Sequence, residues 1–285
     1  MAHVRERFTP ARGGAKSQGF AWAAVVALCC AAGCLTEFEP GSDTPSEGVE
    51  SNGAPLEPGG ADWSCIAGGA TVPRPPPTNS EQAAAATYSV TITDFVTGRP
   101  VSGVQARACA RVDIDCAMPL LANLTTSADG ALRVRLFEGF DGFLEVVAEG
   151  MVPALLFLGG PLQGDTQGFP AYLVPLSAAG ALADAIGFPI DVQFGLIGFW
   201  TLDCVGLPAG GVLVSNDAGG QIYNFVAGLP AFQTSTADGI GGFINVPPGR
   251  VLIRGVLANG GQTMGVQSLL VRPGWISVSN LQPGL

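Results

Sequence analysis

One stretch occurs twice. The first copy runs from Asp94-Phe-Val-Thr-Gly-Arg-Pro-Val-Ser-Gly-Val104 to Thr126-Ser-Ala-Asp-Gly130. The second runs from Asp203-Cys-Val-Gly-Leu-Pro-Ala-Gly-Gly-Val212 to Ser235-Thr-Ala-Asp-Gly239. Pro100 to Ser127 spans 27 positions, and so does Pro208 to Ser235. Each copy reads as a strand, a Pro-bearing turn, a second strand and an Ala-Asp-Gly turn. A turn-punctuated unit that repeats predicts two copies of one β module. The 41 Gly and 22 Pro agree, because they favour short strands joined by turns over long helices.

Alternation fills in the first module. Tyr88, Val90 and Ile92 alternate with Ser89, Thr91 and Thr93, the period of a half-buried strand. Leu132, Val134 and Leu136 face in while Arg133 and Arg135 face out. Val152 to Leu158 is apolar throughout and predicts a strand buried on both faces. In the second module the strands begin near Ile197, Gly211, Gly242 and Val251, with Gly260-Gly261 as a hairpin turn. Between the modules, residues 177–187 predict a short helix with Ser177 as N-cap and Gly187 as stop. Leu182 and Ile186 would pack on a neighbouring sheet. The expected class is mainly β: two antiparallel sandwich domains at 87–160 and 196–285, joined by a linker at 161–195.

The N-terminal region has a different character. Residues 1–18 are basic and polar, and Phe20 to Ala32 form an apolar run of 13 residues. That run is too short for a comfortable membrane span and matches a signal-peptide core, residues 1–33. It ends in Ala31-Ala32-Gly33-Cys34 and resembles the bacterial lipoprotein signal, which implies a lipid on Cys34. Ala31 departs from the Leu or Val usual there, and an ordinary secretory signal is the competing reading. Residues 34–86 interleave Glu and Asp with Pro, Gly and Ser and include Pro73-Arg-Pro-Pro-Pro77. Such a composition predicts a disordered tether with a stiff spacer. Ala61-Asp-Trp-Ser-Cys65-Ile66 interrupts it and predicts a docking point on the body.

Charge and residue types narrow the chemistry. Removing residues 1–18 takes away four of 13 basic residues and one of 23 acids, leaving a net charge near −13. That charge repels phosphate backbones and anionic head groups, so nucleic acid is excluded as a partner and membrane attachment is hydrophobic. The only His is His3 and the only Lys is Lys16. The rest of the chain has no Ser-His-Asp or Cys-His catalysis, no His-ligated metal and no Lys Schiff base.

The order of strand, Gly-x-Pro-[Val/Ala]-x-Gly-Val, strand, Ala-Asp-Gly, strand, aromatic-x-Gly, strand resembles the carboxypeptidase regulatory-like module. The residues carrying it are Gly98, Pro100, Val101, Gly103, Val104, Asp129, Gly130 and Gly142 in the first copy. In the second they are Gly206, Pro208, Ala209, Gly211, Val212, Asp238, Gly239 and Gly249. The resemblance covers about two-thirds of the chain. It implies a transthyretin-like (prealbumin-like) sandwich with accessory, adhesive or scaffold roles and no catalytic motif. Related adhesin modules form Lys-Asn isopeptide bonds, which a chain without Lys here cannot make.

Setting aside Cys29 and Cys30, and Cys34 for lipid, leaves Cys65, Cys109, Cys116 and Cys204. An even number in an exported chain favours disulfides. Cys109 and Cys116 flank one loop and are paired here, which leaves Cys65 with Cys204. Zinc held by all four thiolates competes, but neither Cys65 nor Cys204 has a second Cys nearby. Asp113 and Asp115 offer calcium ligands with Asp94 or Asp129, and a solvated loop explains them better. Tyr223, Phe225 and Phe232 offer a sugar-stacking face, against plain core packing. No metal and no cofactor is expected.

Three functions are weighed. The first is a non-catalytic cell-envelope lipoprotein whose sandwiches bind or scaffold another envelope protein or glycan. The second is a structural spacer. The third is a carboxylate-dependent hydrolase of envelope polysaccharide. Leu35, rather than Asp, after the lipidated Cys implies the outer membrane by resemblance to known sorting behaviour.

Overall fold

The computed structural model describes residues 60–67, 84–226, 229–232, 236 and 238–284. Cys34, the signal segment, most of the tether and residues Ser235 and Ala237 of the second repeat lie outside them. The described chain is mainly β, as the turns and alternation require.

The two copies fold the same way at their turns. Val101 N–H donates to Ile92 O at 2.9 Å, and Ala209 N–H donates to Thr201 O at 2.8 Å. Ile92 N–H donates to Gly130 O, and Thr201 N–H to Gly239 O, both at 2.8 Å. Thr126 Oγ1 accepts from Val104 N–H, and Thr236 Oγ1 accepts from Val212 N–H. Gly130 and Gly239 have φ of +72° and +71°. A Cβ on Gly130 would sit 2.5 Å from Ile92 O and one on Gly239 2.6 Å from Ala209 N, so the Ala-Asp-Gly glycine permits both the turn and its close approach.

In the first module β1 (Ala85–Asp94) pairs with β4 (Ala131–Phe137) and, in parallel, with β7 (Thr166–Gln167) and β8 (Ala171–Leu173). Its second sheet runs β3 (Leu121–Thr125), β2 (Gln105–Ala110), β5 (Gly142–Val147), β6 (Ala154–Phe157). The second module repeats this plan. β9 (Gly195–Thr201) pairs with β13 (Ile240–Val246) and, in parallel, with the last strand, β16 (Ile276–Leu281). β11 (Gln221–Val226) and β12 (Leu229–Ala231) extend that sheet, and β10 (Val212–Asn216), β14 (Gly249–Leu257) and β15 (Thr263–Val271) form the other.

The sequence did not suggest how the two modules meet. β16 pairs in parallel with β6 on one side and β9 on the other. The second sheet of module one and the first sheet of module two thereby become one nine-stranded sheet. Its two faces are covered by different partners, because successive residues point to opposite sides. Leu144, Val146, Leu156, Leu196 and Tyr223 join the core under β1 and β4. Phe143, Leu155, Phe157, Ile197 and Phe199 join the core under β10, β14 and β15. β6 is buried along its whole length, as its continuous apolar run predicts.

The connection contains the expected helix, α2 (Leu176–Ile186), which follows the four-residue α1 (Ser64–Ala67) in chain order. Gly187 ends α2 in the left-handed conformation at φ +68°. The N-cap differs from expectation: Pro175 occupies it and makes no side-chain cap, while Ser177 lies within the first turn. Leu176 N–H instead donates to Gly150 O, so the first module satisfies that end of the helix.

The candidate site: an aromatic cavity over Gly198

Three register rows set the floor of the site. On the face of the large sheet that looks toward α2, Leu196 lies beside Ile276, Gly198 beside Val278, and Trp200 beside Asn280. On the other flank of Gly198 its partner is Gly242, whose own partner is Tyr223. The Tyr223 ring folds across Gly242, because a Cβ there would lie 2.5 Å from the Tyr223 hydroxyl. Gly198 is different: a Cβ there would meet Ile276 at 3.5 Å and Val278 at 3.8 Å, ordinary contacts with room to spare. A glycine inside a strand gives up packing and stability, and one with space above it leaves a hollow.

That hollow is a cavity of about 60 Å3. Its walls come from three places. α2 contributes Leu182, the β1–β2 loop contributes Phe95, and Tyr172 follows from β8. Five rings form an arc around it: Trp200 to Tyr172 at 5.5 Å, Tyr172 to Phe95 at 6.2 Å, Phe95 to Phe225 at 5.7 Å, and Phe225 to Tyr223 at 5.9 Å between centroids. Phe169 stacks on Trp200 at 4.8 Å and extends the arc toward a smaller, more polar hollow beside Asn280. The ionisable groups lining the main cavity are Tyr172 and Tyr223. Burial pushes the Tyr223 hydroxyl up to about 12, so it stays neutral and serves as a wall. The arrangement offers aromatic and aliphatic surface to an apolar group and supplies no acid–base pair.

The opposite face of the same sheet is closed. Glu145, buried on β5, pairs with Arg107 of its own module and, at 2.6 Å, with Arg272 of the second. The Arg272 guanidinium also lies over Phe143 and Trp275 and donates to Ile114 O. Arg111 pairs with Asp141 and donates to Ser268 O across the seam. Cys109 and Cys116 lie here, bonded to each other. Glu145 and these two sulfurs are the one group of three or more metal-ligand types gathered among the described residues. The sulfurs are joined and the carboxylate holds two arginines, so the group is a structural fastening.

Cys65 and Cys204 are also bonded. Asp62 N–H donates to Asp203 Oδ2 at 3.1 Å, and Trp63 and Ile66 pack against the closed-face core. The island in the tether thus docks on the second module. With both pairs bonded, no thiolates remain for a four-Cys zinc site. Asp113 accepts from Ala117 and Met118 N–H, and Asp94 from Val96 and Thr97 N–H. Asp129 serves its own turn, where the Ser127 hydroxyl and Ala131 N–H hold its carboxyl below the usual range. These carboxylates brace loops.

Tyr223 and Phe225, singled out in the sequence, do line the cavity, whereas Phe232 stacks on Phe188 at the exposed end of α2. Sequence reasoning missed Phe95, Tyr172, Trp200 and Gly198. The available signal was Gly198 at the centre of the apolar strand Gly195–Thr201.

No protein-family model matches the chain, and no curated protein matches it. Solved structures that overlap it include BcpA, the major pilin subunit of Bacillus cereus, at 9% identity over 70% of this chain and 100% of that one, with a TM-score of 0.25. The shaft pilin SpaA of Lactobacillus rhamnosus GG overlaps at 12% identity over 70% and 98%, with a TM-score of 0.25. The Bacillus anthracis TIE protein overlaps at 12% identity over 70% of this chain, with a TM-score of 0.25, and the chain covers 33% of its length. At such scores the overlaps carry no argument about fold or function.

Proposed function

We propose that this chain is a non-catalytic cell-envelope lipoprotein, held at the outer membrane by a lipid on Cys34, whose tandem sandwiches bind another envelope component. The tandem of carboxypeptidase regulatory-like modules would supply the scaffold and the cavity over Gly198 the binding site. The lining of that cavity carries the reading: five rings and aliphatic side chains converge on it, and its ionisable groups are two tyrosines. The absence of His and Lys beyond residue 16 supports it, because the Ser and Thr hydroxyls then lack the His or Lys base that usually activates them.

The test incubates the full chain carrying Cys34→Ser, so that no lipid anchor contributes, with isolated outer-membrane and peptidoglycan fractions. Retention on one fraction and released soluble sugar are measured together. Retention without sugar release is the expected result. Release of soluble glycan would replace the binding reading with the hydrolase. The mass of the mature N-terminal peptide from the membrane fraction tests the anchor: diacylglyceryl on Cys34 is expected, and an unmodified N-terminus in the soluble fraction contradicts it.

A further inference from the structure

We infer that the cavity over Gly198 takes the end of an uncharged aliphatic chain, such as the acyl tail of a neutral or zwitterionic lipid. The inference rests on the binding reading above and names the ligand class. Size argues first. A cavity of about 60 Å3 is well below the ~150 Å3 that accommodates a benzene ring, so its volume suits the end of a slender chain better than a ring. Lining argues second. Leu182, Leu196, Ile276 and Val278 join the aromatic arc, and a wall of this kind rewards contact with CH2 groups.

Charge argues third. Among the described residues no arginine lines the cavity, and no Lys or His follows residue 16. The segments that build the walls carry carboxylates instead: Asp94 adjoins Phe95, Asp184 follows Leu182 by two residues, and Asp191 adjoins Ile190. A fatty-acid carboxylate would find no counter-charge there, so an alcohol or ester is favoured over an anion. Gly198 argues last. A side chain at this position would fit with ordinary contacts and add packing, so the open floor leaves length for a ligand in place of a methyl group.

The test titrates the full chain with n-alkanols of increasing length and with 10-bromodecanol, reading Trp200 emission as the part that Trp200→Phe lacks. Trp63 and Trp275 pack against the opposite face and act as internal controls. Affinity is expected to rise about fourfold per added methylene until the cavity is full. Decanol is expected to bind more tightly than decanoate. Gly198→Ala should weaken decanol by about fourfold, and Gly198→Val by more than tenfold. Gly198→Ala keeps the comparison valid if the valine variant folds poorly.

Vesicles of phosphatidylcholine with brominated tails distinguish the source. Quenching of Trp200 by bromodecanol and by vesicles assigns the chain to membrane lipid, and quenching by bromodecanol alone assigns it to a free single-chain amphiphile. Affinity that ignores chain length, tighter binding of decanoate, or quenching that survives Trp200→Phe overturns the inference. Envelope retention without alkanol binding would remove this inference alone. Alkanol binding without envelope retention would remove the broader reading alone.

Discussion

The nine-stranded sheet has two faces at the junction of the modules, and they are built by opposite rules. On one face, the second module's small sheet closes against the first module through Glu145, Arg272, Arg111 and the Cys109–Cys116 loop. Charges, sulfur and rings occupy that seam. On the other face, Phe95 and Tyr172 of the first module meet rings of the second, α2 adds Ala179 and Leu182, and Gly198 leaves a hollow between them. A buried ion pair satisfied on both sides fixes geometry, whereas an apolar hollow forfeits dispersion contacts. The contrast assigns fastening to one face and ligand contact to the other.

The largest effect expected from breaking the closed side comes from its covalent link. Cys65–Cys204 closes a separation of 139 residues, so replacing both with Ser should cost about 4 kcal/mol through the freed unfolded chain. Thermal unfolding of the oxidised protein and of the double variant measures it. The lining of the cavity should be unchanged, and a folded variant should bind decanol as before.

Glu145→Gln should cost about 3 kcal/mol. It leaves Arg272, whose side chain is largely buried, facing a neutral amide in place of a carboxylate. Arg107 is half-exposed and contributes less, because water screens it. Urea unfolding checks the loss, and a change below 1 kcal/mol would mean that the seam is held by packing alone.

The smallest effect is seen only in acid. Burial alone would raise the Asp203 carboxyl, but the N–H groups of Leu207, Asp62, Val205 and Gly206 outweigh it and bring the group below the ordinary value. A lowered carboxyl stabilises the fold at pH above its unfolded value of about 3.9, and that contribution fades as pH falls through the lower folded value. Asp203→Asn should therefore flatten the loss of stability below about pH 4. An unchanged acid limb in calorimetric scans would contradict this.

Much of the fold was legible because turns declare themselves. Pro100 with Gly130, and Pro208 with Gly239, announce the same local bonds twice, and Gly187 announces the end of α2. Strand alternation placed Tyr88, Val90 and Ile92 inward as observed. The join between modules was not legible. β16 reads as one more strand of its own module, and nothing local in Ile276–Leu281 records that β6 will lie on its far side. The site was legible only in part for the same reason. Tyr223 and Phe225 stand out as aromatics, but Phe95 sits in a turn, Tyr172 in the connection and Trp200 at a strand end. Only the pairing of remote elements brings them together.

The division of labour between the two faces is tested most directly by measuring Gly198→Val, in a chain that also carries Cys34→Ser and so has no lipid anchor, for both thermal stability and retention on the envelope fraction. Filling the hollow should leave the melting temperature equal or higher, since a glycine in a strand costs about 0.5–1 kcal/mol, and should abolish retention. A variant that stays fully retained would show that the cavity is a packing gap and that the protein meets its partner elsewhere.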